Sequence, residues 1–442
     1  MTVFYFIYMI FFGSLFFWCW SRSRDVFHPW IIFIPQFIFL YGFFPLPTVM
    51  AAPERFYAYA GEDALYWYQF LTIVLPLCLL LGIVQGAGQY FSGQRRAVLP
   101  QIANKEIIYR IASGLGITGV ASWLYGIYNV GGFFAAYGTG YGGGWDDSGY
   151  VRELPYIGML AVLMVFLLRV GKGMRAIDWA LILFSASPVL LHGLLGARRG
   201  PTFMAAILVA GGYVFFMRKR VSLSIVLPAG IMLGMFILFL VANRDDIHLG
   251  SELTELKSPL SFLEQFESSE YLIGGAVVQY ADTVGSFYGA REATHLLGRM
   301  TPKFIWPNVY TDLGQMFGFV FDLTLNSGID PSAIETITGW QPTVGSAMGM
   351  VGDFWIEFNI FSLAVAYAIG YFYGRVWRAS FTNLTAKLMH LILSAFSIYL
   401  VMQDLDAWLY RVFLLGIPLV LAMRLVKVAP RSPFQRSAPV RG

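Results

Sequence analysis

Eleven stretches of this chain are apolar for long enough to cross a lipid bilayer, near residues 3–20, 30–47, 66–86, 107–127, 154–169, 177–196, 202–217, 221–242, 354–374, 388–403 and 407–424. Hydrocarbon offers the backbone no water to bond with, so such runs must satisfy their own amides, which they do as helices. Only 13% of the residues are charged and 57% are hydrophobic, a composition that a soluble core cannot bury. The expected fold is therefore an all-α polytopic membrane protein with about 11 transmembrane helices. The first run does not read as a cleavable signal peptide. It lacks a basic n-region and an A-x-A-like site, and it ends in Trp18-Cys19-Trp20, an interfacial anchor.

Charge orders these runs. One set of alternate loops holds Arg22 and Arg24, then Arg95, Arg96 and Lys105, then Arg169, Lys172 and Arg175. It continues with Arg218, Lys219 and Arg220, then Arg375, Arg378 and Lys387, and ends with the tail from Arg424 to Arg441. By the positive-inside rule this set is cytoplasmic, which puts the N-terminus outside and the C-terminus inside. The net charge of +4 then reports topology, with no nucleic-acid partner implied. The other face receives an acidic loop at 48–65, a glycine-rich loop at 128–153, the Arg198-Arg199 loop and a long segment at 243–353. The organisation expected is 1–242 with eight helices and short loops, 243–353 as a large external helical segment, 354–424 with three more helices, and 425–442 as a basic tail.

Several chemistries find no support. Cys19 and Cys78 both sit in apolar runs, which predicts neither a disulfide framework nor a metal site. The five histidines lack any ligand spacing, so no metal and no cofactor is expected. The run Gly138-Thr139-Gly140-Tyr141-Gly142-Gly143-Gly144-Trp145 has no following Gly-Lys-Ser/Thr and no preceding strand. It reads as an external loop whose aromatics can lie on sugar rings or headgroups, not as a phosphate loop.

Three constellations can carry chemistry. Gly196-Ala197-Arg198-Arg199-Gly200-Pro201 sets two adjacent arginines in a short turn between two bilayer-length runs. Charge held so close to hydrocarbon usually marks a site with an anionic partner, and forked guanidiniums suit phosphate or diphosphate, although topology charges are the plainer alternative. In the long segment, Arg291, His295 and Arg299 fall at i, i+4 and i+8, on one helix face. That face calls for an anion over it, unless it is solvated and balanced by Glu292. Lys303 follows, before the interfacial turn Phe304-Ile305-Trp306-Pro307. Finally, Asp353 and Glu357 share one face where the ninth run begins, either as a general base or as ion partners of the arginines. Near a bound diphosphate His295 should tend toward protonation, which makes it the poorer base. Asp404 and Asp406 read as facing headgroups.

With these residues in view, the chain resembles the Wzy-type oligosaccharide repeat-unit polymerases of bacterial surface polysaccharide assembly. The residues that carry the resemblance are Gly196-Ala197-Arg198-Arg199-Gly200, Tyr288-Gly289-Ala290-Arg291-Glu292, Thr301-Pro302-Lys303-Phe304-Ile305-Trp306-Pro307, and Gln341-Pro342-Thr343 running into Gly352-Asp353-Phe354-Trp355. Members of that family often show Gly-Ser/Thr-Arg where this chain has Gly-Ala-Arg-Arg.

The resemblance implies an inverting membrane glycosyltransferase with a GT-C-like helical fold in the bacterial inner membrane. Its active site would face the periplasm, its substrates would be undecaprenyl-diphosphate-linked glycans in the lipid bilayer, and a chain-length regulator would be a further partner. Arg198, Arg199, Arg291 and Arg299 would bind the diphosphate, and Asp353, Glu357 or His295 would serve as base. An O-antigen ligase would share the span pattern, the arginine loop and the large outer segment. A transporter of lipid-linked sugars would call for midplane charges and inverted repeats, which the sequence does not display.

Overall fold

A computed structural model describes residues 2–57, 59–92, 102–140, 153–170, 172–217, 221–251, 256–264, 270–301, 305–321, 328–342 and 347–427. The fold is all-helical. It begins with α1 (Thr2–Ser23), α2 (Pro29–Ala51), α3 (Glu62–Phe91), α4 (Lys105–Asn129) and α5 (Leu154–Leu168), then α6 (Ala176–Leu195), α7 (Arg199–Phe216) and α8 (Leu223–Ala242). The long segment folds into α9 (Glu270–Val284), α10 (Ala290–Met300), α11 (Val309–Phe317) and α12 (Pro331–Thr338). The chain closes with α13 (Gly349–Ser380), α14 (Leu384–Met402) and α15 (Leu405–Arg424). Among the described residues ten of these helices are long and apolar enough to cross a membrane, and α5 is a shorter apolar helix, so that every expected run corresponds to one helix. The chain is a multi-pass membrane protein. Arg95, Arg96, Arg218, Lys219, Arg220, Lys303, Phe304, Thr343, the glycine-rich run beyond Gly140 and the tail beyond Lys427 lie outside the described residues.

Small residues set the closest helix approach. A Cβ on Gly82 would run into the carbonyl of Tyr367, and one on Gly370 into that of Leu79, so α3 and α13 meet backbone to backbone. The central helix is α14, buried nearly all round. Its polar residues are bonded inward: Ser397 Oγ accepts from Gln36 Nε2 at 2.7 Å, and Tyr373 Oη of α13 donates to Leu393 O at 3.0 Å. Helix connectivity gathers the basic turns α5–α6 and α13–α14 at one end of the bundle. The α6–α7 and α14–α15 turns lie together at the other.

Candidate functional site

The α6–α7 turn is tight because of its backbone. Ala197 takes φ 47°, a left-handed conformation that a side chain resists, and the Arg198 N–H then donates back to Gly193 O at 3.0 Å. This stops α6 and starts α7 at Arg199. Gly200 lets α7 pass directly over Tyr399 of α14, since a Cβ there would overlap the phenol ring. Arg199 is ion-paired with Glu270 at the start of α9, which ties the turn to the long segment. Arg198 lies within electrostatic reach of Tyr137 and Tyr399.

The second constellation forms because α10 is seated on α13. Tyr288 and Gly289 both take positive φ, 50° and 92°, and the bend lets Phe287 N–H donate to Ile356 O at 3.0 Å and Tyr288 N–H to Glu357 O at 2.6 Å. Arg291 then enters the core with 0% exposure. Its Nε donates to Glu357 Oε2 at 3.0 Å, and its Nη2 donates to Glu292 Oε1 at 2.8 Å and to Asp353 Oδ1. The other oxygen of Asp353 accepts the Leu405 N–H at 2.8 Å, so this carboxylate also holds the first turn of α15. Burial opposes the charge on Arg291, but Asp353, Glu292 and Glu357 outweigh it and keep the guanidinium firmly protonated. Glu292 goes the other way. Burial and the neighbouring Asp353 push its pKa well above the ordinary carboxylate range despite Arg291.

One turn along α10, His295 Nδ1 lies 2.6 Å from Asp406 Oδ2, and His295 Nε2 accepts a hydrogen bond from Arg299 Nε at 3.0 Å. A ring nitrogen that accepts from a guanidinium carries no proton, which assigns the hydrogen to Nδ1, facing Asp406. Burial lowers the histidine pKa, and although Asp406 pulls the other way, the ring stays neutral. Asp404 is also buried, and burial together with Asp406 and Asp353 raises its pKa well above the ordinary carboxylate range. Asp404 and Asp406, expected to face headgroups, are instead 1% and 0% exposed. The face bearing Arg291 and His295 is likewise a packed interface, not a solvated one.

A residue that the sequence reading passed over joins the two constellations. Arg411 lies inside α15, with its guanidinium 3.9 Å from the Tyr399 ring centroid and 3.4 Å from Glu153. Its neighbour Tyr410 lies 5.9 Å from the Arg299 guanidinium. Guanidiniums and phenol rings therefore alternate from α10 to the α6–α7 turn: Arg299, Tyr410, Arg411, Tyr399 and Arg198. An arginine in an apolar run is itself a site signal, and that would have found Arg411.

The structure thus brings together Arg198, Arg199, Arg291, His295, Arg299, Asp353 and Glu357 at one end of the bundle. Arg291, expected to bind diphosphate, is enclosed and faces three carboxylates. Of the two roles open to Asp353 and Glu357, the geometry displays that of ion partner: both are 0% exposed and bonded to Arg291. Among the described residues, no group of acidic, histidine or cysteine side chains is arranged to hold a metal ion. What fold and site define is a polytopic helical membrane protein with an arginine-rich, carboxylate-rich end. No protein-family model matches the chain, nor does any characterised protein or solved structure.

Proposed function

We propose that the chain is a membrane glycosyltransferase that joins undecaprenyl-diphosphate-linked oligosaccharide repeat units into a surface polysaccharide, as the Wzy-type polymerases it resembles do. The observation that carries this reading is the row of guanidiniums and tyrosine rings at the α6–α7 end, opposite the basic turns. With the basic turns cytoplasmic, that end faces the periplasm of the inner membrane, where flipped lipid-linked donors are presented.

In the transfer, the anomeric carbon–oxygen bond to the diphosphate breaks and a bond to the acceptor hydroxyl forms on the opposite face of the sugar. The hydroxyl proton is lost, and lipid diphosphate leaves. Negative charge grows on the leaving group, and arginines already fixed around it stabilise that charge most in the transition state. Arg198 is set for this by the strained turn at Ala197, and Arg199 holds the turn against α9. The buried rings of Tyr399 and Tyr410 pack beside the cations. Asp353 or Glu357 could act as base only after leaving Arg291, so deprotonation by this pair requires α10 to shift on α13.

The test is the lipid-linked glycan that accumulates in cells lacking the chain. Single repeat units on lipid at the outer leaflet support the polymerase. Long polymer left on lipid would mean a ligase, and units retained on the inner leaflet a transporter.

A further inference from the structure

Four arginines of this end are committed in different ways. Arg291 is enclosed by Asp353, Glu357 and Glu292, Arg199 is paired with Glu270, and Arg411 is paired with Glu153. Arg299 differs from all three. Its Nε is bonded to a neutral histidine nitrogen, its nearest carboxylate oxygen, on Asp406, is 3.9 Å away, and its side chain is 26% exposed. Its two terminal amino groups make no hydrogen bond to any described residue. A carboxylate behind a guanidinium fixes it and cancels its charge. A neutral imidazole fixes it and leaves the charge for something else.

The imidazole is itself held. Nδ1 faces Asp406, which sets the tautomer, and the ring is walled by Phe321 and Tyr310 with centroids at 5.4 and 6.3 Å. Tyr310 packs on the bare backbone of Gly298, where any Cβ would overlap its ring, so the turn carrying Arg299 has one place to sit. At 2% exposure, with Nε2 occupied, His295 presents no nitrogen to an acceptor hydroxyl.

Resting on the donor-site reading above, we infer that Arg299 is the guanidinium with which the long segment grips the donor's diphosphate, and that His295 is its positioning residue, an uncharged hydrogen-bond acceptor and not a base. Arg299 uses the edge formed by its two terminal amino groups for the phosphate oxygens while Nε stays on the imidazole. Tyr410 beside it continues the row toward Arg411 and Arg198.

The experiment uses the purified full-length chain in lipid nanodiscs, with geranylgeranyl diphosphate as probe and geranylgeraniol as its uncharged control. The wild type should bind the diphosphate more tightly than the alcohol. Arg299→Ala and Arg299→Lys should each weaken diphosphate binding by roughly tenfold or more, the loss of a charge-assisted fork, and leave the alcohol unaffected. His295→Ala should weaken it by roughly tenfold, whereas His295→Gln, which offers an oxygen acceptor but takes up no proton, should stay within about threefold of wild type. In polymerisation with lipid-linked donor, the same order should appear in kcat/KM, since a guanidinium on the leaving diphosphate acts in the transition state as well, and His295→Gln should keep its kcat. If His295→Ala does not fold, Arg299→Lys and His295→Gln decide the matter alone. Unchanged binding in both Arg299 variants, or a His295→Gln variant whose kcat has collapsed, overturns this inference while the donor site stands. A wild type that does not distinguish the diphosphate from the alcohol overturns the donor site as well.

Discussion

Replacing Arg291 with methionine removes a cation that Asp353 and Glu357 both touch, in a place where neither is exposed. A unit charge pair at about 4 Å in a site of effective dielectric near 20 is worth about 4 kcal/mol. Two such pairs disappear, but the stranded carboxylates can take up protons, and that route caps the loss. Breaking a buried pair by removing one partner costs about 3–5 kcal/mol, and we expect a destabilisation of that size. The assay is denaturant unfolding of the detergent-purified chain, followed by tryptophan fluorescence. The triple variant Arg291→Met, Asp353→Asn, Glu357→Gln should recover most of the loss, because a neutral, similarly shaped set leaves no buried charge behind. An Arg291→Met single variant as stable as wild type, or a triple variant no better than the single, would refute the clamp.

Glu292→Gln copies the protonated form, so it should be neutral or mildly stabilising at pH 7; because the folded-state pKa of Glu292 lies above its unfolded value, wild-type stability is intact below that unfolded value and is lost as pH rises through the folded one, and the gap between variant and wild type in unfolding midpoints should widen with pH. The lowered pKa of His295 has the opposite sign: stability is intact above the unfolded value of 6.5 and falls as pH drops below it, a fall that His295→Gln should remove from the same unfolding series. At the α6–α7 turn, Arg198→Lys should abolish most polymerisation while the protein inserts normally, as charge without a fork does not replace a guanidinium; full activity there and in Arg199→Lys would reduce the pair to topology charges. A reporter fused after Gly442 should read cytoplasmic and one inserted in the α8–α9 connection external, and the same compartment for both would break the orientation.

Residue order made the helices legible because a membrane-crossing run is a local property: twenty apolar residues announce themselves without knowledge of any neighbour. The i, i+4 pair Asp353 and Glu357 was legible for the same reason, as was the shared face of Arg291 and His295. Their partnership was not, because Arg291 meets Asp353 only once the left-handed bend at Tyr288 and Gly289 lays α10 on α13. The burial of Asp404 and Asp406 depends equally on distant chain, since α10 and α13 cover the turn that local sequence presents as a polar helix end. Arg411 stood in plain view inside an apolar run. Its ring and carboxylate partners, Tyr399 and Glu153, come from α14 and from the approach to α5.

The central claim is that the arginine-rich end transfers glycan from lipid diphosphate. The most direct measurement adds a purified lipid-diphosphate-linked repeat unit to the reconstituted chain and follows both products. The account predicts glycan of increasing length with one lipid diphosphate released per bond formed, and loss of both products in Arg198→Lys. Intact repeat units after prolonged incubation with wild-type protein, or polymerisation undiminished in Arg198→Lys and Arg299→Ala alike, would contradict it.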